Sequence, residues 1–318
     1  MNRPEAEAEV PAATGAAGDV GGGLRLDGVL RAAAARLAAA GVPAARGDAE
    51  RLAAHVLGLT PGEVAAAAVT GRPLAPDDAG RLDALVARRC ERVPLQHLTG
   101  RAPFRTIELE VGPGVFVPRP ETEVVAGFVV RACRDVPGSP VVVDLCTGSG
   151  AVALGVAVEV PSARVVALEL DGDALGWARR NVDRIAPGRV DLRQGDVDGA
   201  DAGVLADLVG AVDVVVANPP YIPSWAVPLE GEVARHDPHV ALYGGGEDGL
   251  VVPRAVVRTA ARLLRPGGLL VMEHGDVQGG ATRALAGADD GWVGVTTEPD
   301  LTGRDRALVA RRAARDPA

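Results

Sequence analysis

The sequence contains no lysine; all 33 basic residues among its 318 are arginine. That absence excludes chemistry at once. A phosphate-binding P-loop needs its lysine on the phosphates, and a Schiff-base enzyme needs a lysine amine. Aromatics are nearly as scarce, with three Phe, three Trp and two Tyr, so an aromatic at a chemically suggestive position carries weight. The three cysteines (Cys90, Cys133, Cys146) are an odd number without a CxxC pair. They make neither a disulfide framework nor a zinc site and suit a reducing cytoplasm, where the chain is expected to reside. The five histidines show no metal spacing, so no metal is expected. No apolar run approaches the ~18 residues of a membrane span, so no membrane partner is expected. Residues 1–23 are acidic and rich in Ala and Gly; without a basic n-region and an apolar stretch they are no secretory signal and read as a disordered tail. Basic excess is lacking too: 42 acidic residues give a net charge of −9. That argues against a protein whose main task is gripping nucleic-acid backbone, though not against a local basic patch.

Hydrophobic content of 47% with 24% charge is ordinary for a globular chain, and the length suggests about two domains at roughly 150 residues each. From residue 24 to 93, Ala/Leu-rich stretches at helical spacing alternate with breakers. Helices are predicted over 26–40, 48–57, 61–69 and 77–92, a small helical bundle without catalytic candidates. Residues 94–120 form a linker. Within it, 104–111 alternates and is rich in β-formers, and Gly112-Pro113-Gly114 precedes Val115-Phe116-Val117, which predicts a β-hairpin. From residue 121 to 318 the chain takes on βα rhythm. Strands are expected at 141–145, 164–169, 190–193, 212–217 and 269–273, helices at 151–158, 173–184 and 250–264, and a terminal hairpin at 292–297 and 306–310. The fold class is α/β, with a parallel sheet covered on both faces.

The first of these strands runs through Asp144 into Cys146-Thr147-Gly148-Ser149-Gly150 and then directly into a helix. Glycines let backbone turn sharply and approach a ligand closely, with a helix N-terminus behind. Such a turn alone is weak evidence. The second strand, however, ends in Glu169, placed to accept hydrogen bonds from two ribose hydroxyls, and the third ends at Asp196, placed to receive an adenine amino group. Each carboxylate taken singly has an alternative, Asp144 as a cap and the others as solvated strand ends; three in register at successive strand ends favour a nucleoside-bearing cofactor. Val197 follows, so no aromatic platform stands there.

The fourth strand runs straight into Asn218-Pro219-Pro220-Tyr221, the strongest signal in the chain. Proline lacks an N–H and fixes φ, so the Pro219 carbonyl is expected to stand rigidly outside any ladder, beside the Asn218 amide oxygen. Two adjacent acceptors can hold one planar NH2 group through its two hydrogens, and Tyr221 can stack on the flat group carrying it. The alternative is a plain strand-ending turn. Acceptors on such a nitrogen return electron density to it and aim it at a sulfonium methyl held in line. Orientation accounts for about 7–11 kcal/mol of such a barrier, and the acceptors disperse charge growing on nitrogen.

These segments resemble the S-adenosylmethionine-dependent amino methyltransferases. Pro94–Gly100 (PLQHLTG) with Phe104-Arg105, Val117–Glu123 (VPRPETE), His236–Leu250, Leu264–Gly275 and Gly303–Arg312 are similar, in order, to blocks of the release-factor glutamine methyltransferases (PrmC/HemK family). The resemblance spans about residues 25–312. It implies an N-terminal helical domain that helps grip the release factor and a Rossmann-like seven-stranded domain. The implied reaction moves a methyl group from S-adenosyl-L-methionine to the side-chain N5 of the Gln in the Gly-Gly-Gln loop of peptide chain release factors, in translation termination. Carried over, Cys146, Thr147, Gly148, Ser149, Gly150, Glu169, Asp196, Val197 and Asn218 would bind the cofactor. Asn218, Pro219, Pro220 and Tyr221 would hold the substrate amide, with Asn218, Pro219 and Tyr221 as the catalytic set. Arg119, Glu121 and Thr122 would line the cofactor pocket. Departures are Cys146 for a common Gly, Glu169 for a common Asp, and Val197 for an aromatic. The same Asn-Pro-Pro-Tyr serves adenine-N6 DNA or RNA methyltransferases, and glutamine methylation of a ribosomal protein shares nearly all these motifs. The acidic total and the lack of an extra basic domain argue against DNA. A monomer is expected. His236 and His239 are expected to pack a loop, Arg254, Arg258, Arg262 and Arg265 to form a solvated face, and Trp177 to pack beside the cofactor site.

Overall fold

The computed structural model describes residues 24–228, 231–288 and 290–314. The predicted tail at 1–23 lies outside them. The chain divides into two compact units, Met1–Ala87 and Arg88–Ala318.

The first unit is helical: α1 (Leu26–Ala39), α2 (Ala45–Leu57), α3 (Pro61–Val69) and most of α4 (Pro76–Cys90). Its helices bury Leu26, Leu30, Leu37, Leu52, Val64, Leu82 and Val86. Local chemistry sets their ends. Gly58, at φ 64°, closes α2 in the left-handed conformation. Thr60 opens α3 with a capping box: its hydroxyl accepts the Glu63 N–H at 3.2 Å, and the Glu63 carboxylate accepts the Thr60 N–H at 2.8 Å.

The second unit opens with α5 (Leu95–Thr99) and a two-stranded hairpin, β1 (Arg101–Phe104) and β2 (Ile107–Glu110). The hairpin therefore lies one turn earlier than expected. Phe104 pairs with Ile107, and the reversal is made at Arg105, whose φ is 51°. Arg105 is held there by Glu159, at 2.5 and 2.8 Å, and by the Glu123 carbonyl at 2.9 Å. Residues 115–117 form no strand. The Gly112-Pro113-Gly114 turn instead lies against Trp177, whose indole N–H donates to the Pro113 carbonyl at 3.2 Å. A Cβ on Gly112 would stand 2.6 Å from that ring, so this turn is shaped by packing rather than by strand pairing.

Then come α6 (Pro120–Arg134), β3 (Val141–Leu145), α7 (Ala151–Glu159), β4 (Arg164–Glu169), α8 (Gly172–Ile185), β5 (Val190–Gln194) and β6 (Val212–Ala217). These are followed by α9 (Gly231–His236), α10 (His239–Leu242), α11 (Val251–Leu263), β7 (Leu264–Glu273), α12 (Gly279–Gly287), β8 (Trp292–Pro299) and β9 (Asp305–Arg312). The seven-stranded sheet has the order β5-β4-β3-β6-β7-β9-β8. The first five strands in that order are parallel; β9 is antiparallel to both β7 and β8.

Side chains alternate across a strand, and the runs of Val and Leu are apolar on both faces because both are covered. Val142, Val165, Val214 and Val271 join α6, α7 and α8 in one core. Their neighbours Val143, Val166, Val215 and Leu270 join α11 in the other. The order reverses between β3 and β6, so the crevice outside their carboxyl ends is the expected ligand position.

Candidate functional site

That crevice holds a cavity of about 490 Å³. Its lining draws on four strand ends: Asp144 in β3 with Cys146 to Ser149 after it, Glu169 at the end of β4, Asp196 and Val197 after β5, and Asn218, Pro220 and Tyr221 after β6. Gly150 and Pro219, expected at the site, are buried and are not among the lining residues. Arg119, Glu121 and Thr122 line the same cavity, where the resemblance placed them.

The loop after β3 is held from inside. Buried Asp144 accepts the Thr147 hydroxyl at 2.6 Å and the Ala153 amide at 3.1 Å. Burial pushes its carboxyl up to about 7, against the pull of those two bonds. Cys146, Gly148 and Gly150 all have positive φ, at 65°, 58° and 84°, a conformation that costs a residue with a Cβ. Burial raises the Cys146 thiol well above its usual range, helped by Glu169, Asp144 and Asp196, so it stays protonated and is no nucleophile. A Cβ on Gly148 would meet no protein atom within 4 Å; a ligand can approach this backbone closely.

Glu169 accepts the Gly148 N–H at 2.7 Å on one oxygen and those of Leu170 and Asp171, both at 2.9 Å, on the other. A carboxylate accepts about four such bonds, which leaves one position for a ligand hydroxyl. Burial raises its carboxyl, and the three N–H bonds work against that rise. Asp196 is exposed and accepts the Asp198 N–H at 3.0 Å. Val197 is buried in the core under α11 while also lining the cavity. It is therefore as much a packing residue as a wall.

Asn218 donates from Nδ2 to the Thr122 hydroxyl at 3.2 Å, and Thr122 donates to Glu273 at 2.8 Å. Burial pushes the Glu273 carboxyl up to about 7, against the Thr122 bond and Arg306. Tyr221 is partly buried, and burial raises its phenol. The segment after β6 is gripped along its backbone. Gln278 donates to the Tyr221 carbonyl at 2.9 Å and to that of Asp248 at 3.0 Å. Ile222 donates to the Leu242 carbonyl at 2.9 Å and accepts from Gly244 at 3.0 Å. A Cβ on Gly244 would lie 2.5 Å from the Pro220 carbonyl oxygen, and one on Gly249 would lie 2.2 Å from that of Tyr221.

Gln278, Glu273 and Asn181 were not singled out from the sequence. Asn181, with no exposed surface, bonds both backbone groups of Glu110 and donates to the Ser149 carbonyl at 3.0 Å, tying the hairpin to the glycine loop. A polar residue on the apolar side of α8 was the available signal. Trp177 packs against the core and covers the Gly112-Pro113 turn, next to the cavity-lining Gly114, without itself lining the cavity. Arg254, Arg258, Arg262 and Arg265 each pair with an aspartate, namely Asp248, Asp198, Asp201 and Asp213, as befits a solvated face. His236 and His239 are not loop residues as expected: His236 is the last residue of α9 and His239 the first of α10, where it packs edge-on against Tyr243, ring centroids 5.3 Å apart. Among the described residues no cluster of three or more His, Cys, Asp or Glu is placed to hold a metal ion, and no single helix is long and apolar enough to cross a membrane.

The sheet order, the glycine loop after β3 and the Asn-Pro-Pro-Tyr end of β6 together define a Rossmann-like methyltransferase domain, preceded in the sequence by a helical unit. Family comparisons agree: residues 28–100 match the PrmC N-terminal domain, and residues 113–228 match the methyltransferase small domain. The chain is 52% identical to the release factor glutamine methyltransferase of Streptomyces coelicolor over 282 residues, covering 87% of this chain and 95% of the relative. It is 47% identical to that of Mycolicibacterium smegmatis over 291 residues (92% and 99%) and 45% identical to that of Mycobacterium tuberculosis over 284 (88% and 89%). The chain belongs to the release factor glutamine methyltransferase family.

Proposed function

We propose that the protein transfers a methyl group from S-adenosyl-L-methionine to the side-chain N5 of the Gln in the Gly-Gly-Gln loop of peptide chain release factors, in the cytoplasm, as a step serving translation termination. The observation that carries this reading is the Asn218 amide. Its nitrogen is engaged by Thr122 at the cavity edge, so its oxygen is the atom available to an incoming amide N–H.

The cavity fits the cofactor. In support, its lining draws on the ends of β3, β4 and β5, the Gly148 backbone is open to a ligand, and Glu169 and Asp196 are among the lining residues, where they would meet ribose and adenine donors. Cys146, Thr147, Gly148, Ser149 and Gly150 would hold the amino-acid end, with Val197 beside the base. When bound, S-adenosylmethionine supplies an electrophilic methyl group on sulfur. The rest is done by acceptors and geometry. Asn218 Oδ1 and the Pro219 carbonyl take the two hydrogens of the substrate NH2, Tyr221 stacks on its plane, and the held nitrogen is aimed along one line. The acceptors stabilise positive charge as it grows on nitrogen. No residue acts as a covalent nucleophile: formation of the N–CH3 bond would break the S–CH3 bond, leaving its electron pair on sulfur in S-adenosylhomocysteine, and the extra proton would pass to water once the nitrogen is alkylated. The helical region at 24–93 would grip the release factor, the linker at 94–120 would lead to the catalytic part at 121–318, and the enzyme would act as a monomer.

The test is incubation with methyl-labelled S-adenosylmethionine and, separately, a release factor, ribosomes and DNA. Label on the release factor, removed when its Gly-Gly-Gln glutamine is changed, is the expected result. Label on ribosomal protein or DNA with none on the release factor overturns the reading.

A further inference from the structure

An amide side chain can stand either way round, and the two orientations offer opposite things to a ligand. For Asn218 the choice has a physical cause. The Thr122 hydroxyl carries one hydrogen, and that hydrogen goes to Glu273 Oε2 at 2.8 Å. Towards Asn218 it therefore shows only lone pairs, and the Asn218 group that meets it at 3.2 Å is Nδ2. Thr122 is 4% exposed and Glu273 2%, so bulk water is not at hand to substitute for either partner. Thr122 sits in the first turn of α6 and Glu273 at the last position of β7, two rigid elements flanking the end of β6.

We propose that Thr122 and Glu273 are positioning residues that set the orientation of the Asn218 amide, turning its oxygen towards the substrate nitrogen. This rests on the function proposed above. With Glu273 ionised, the order of donors runs Asn218 to Thr122 to Glu273. With Glu273 protonated, its O–H can donate to Thr122, the Thr122 hydrogen is freed for Asn218 Oδ1, and the amide reverses. It then shows an N–H to a substrate N–H and the acceptor is lost. Turnover should accordingly fall on the acid side as Glu273 takes up a proton. The charged and titratable groups facing Glu273 are Arg119 and Glu121 from the start of α6, Tyr221 from the segment after β6, and Arg306 from β9. Burial and Glu121 favour the protonated form, and Arg306, Arg119 and the Thr122 bond the ionised one.

Three full-length variants test this: Thr122→Val, which removes the hydroxyl at nearly constant shape, Thr122→Ser, which restores it, and Glu273→Gln, which cannot titrate. Thr122→Val should lower kcat on the release factor about 10–100-fold, the effect of losing one orienting hydrogen bond, with affinity for S-adenosylhomocysteine by calorimetry kept within about threefold. Thr122→Ser should recover most of that loss. Glu273→Gln should abolish the acid limb of the kcat profile. A second readout does not depend on the substrate. The chain has three asparagines, Asn2, Asn181 and Asn218, so selective 15N labelling resolves the Asn218 side-chain NH2 pair, which should shift in Thr122→Val and return in Thr122→Ser. An unshifted Asn218 resonance, or a wild-type kcat in Thr122→Val, overturns the proposal. If the wild-type enzyme leaves the release factor unlabelled, the functional reading fails, and the resonance alone decides the relay.

Discussion

Cys146 shows how much chemistry one φ angle carries. At 65° its backbone sits where a side chain costs about 1–2 kcal/mol, while Gly there would cost roughly 0.5–1 kcal/mol in chain entropy. Cys146→Gly should therefore keep or slightly raise the melting temperature and retain cofactor affinity; thermal denaturation checks it, and a large loss would mean that the thiol contributes packing beyond its strain. Gly148→Ala tests the opposite case. A methyl there meets open cavity rather than protein, so it should weaken cofactor binding at least tenfold by calorimetry while costing little more than its backbone strain in stability. At this scale the sequence pointed first to residues that are scarce or conformationally special, and of these Gly148 and Tyr221 line the cavity while Pro219 does not. It was least legible at Thr122, Gln278 and Glu273. Their importance lies in which neighbour their one hydrogen or lone pair meets, and that is set by residues distant in the chain: Thr122 and Glu273 are 151 positions apart.

At the level of elements, the loop between α10 and α11 works as a backing plate for the end of β6. Gly244 and Gly249 are glycines because the Pro220 and Tyr221 carbonyls occupy the space of a Cβ. Gly249→Ala should displace the Tyr221 backbone, lowering turnover by an order of magnitude or more and stability by about 2–4 kcal/mol, measured by steady-state kinetics and denaturant unfolding; native values for both would contradict this role. Gln278→Ala keeps the loop but removes one bond to it, at the Asp248 carbonyl, and one to the Tyr221 carbonyl, and a smaller loss of turnover is expected. Among the parallel strands β3, β4, β6 and the end of β7 were readable because each carries an apolar run ended by a polar turn, whereas β5 (VDLRQ) alternates. The hairpin was misplaced because a Gly-Pro-Gly turn signals more strongly than the Arg105-Thr106 reversal, which depends on Glu159 lying 54 positions away. Short α5, α9 and α10 have too few residues to show a helical period.

Over the whole molecule, buried titratable groups set the response to pH. Asp144 and Glu273 have folded values pushed by burial to about 7 from 3.8 and 4.5. The native state therefore binds more protons than the unfolded chain across that interval, and stability falls as pH rises through it. His97 and His274 are lowered by burial from 6.5, so they contribute stability above that value that is lost as pH falls below it. The two effects oppose each other in mild acid, and above about pH 6.5 the histidine effect fades while that of the carboxylates, centred near 7, dominates. The melting temperature should decline in that range, and Asp144→Asn should flatten the decline; a flat or rising wild-type profile would contradict the assignment. A lysine-free chain of net charge −9 has no obvious catalyst, and on this account it needs none, since the reaction runs on acceptors and alignment. The most direct test is Asn218→Ala, with methyl transfer to a release factor measured beside cofactor affinity by calorimetry. The account predicts transfer reduced about 100-fold or more, with affinity for S-adenosylmethionine reduced far less; transfer near the wild-type rate would contradict it.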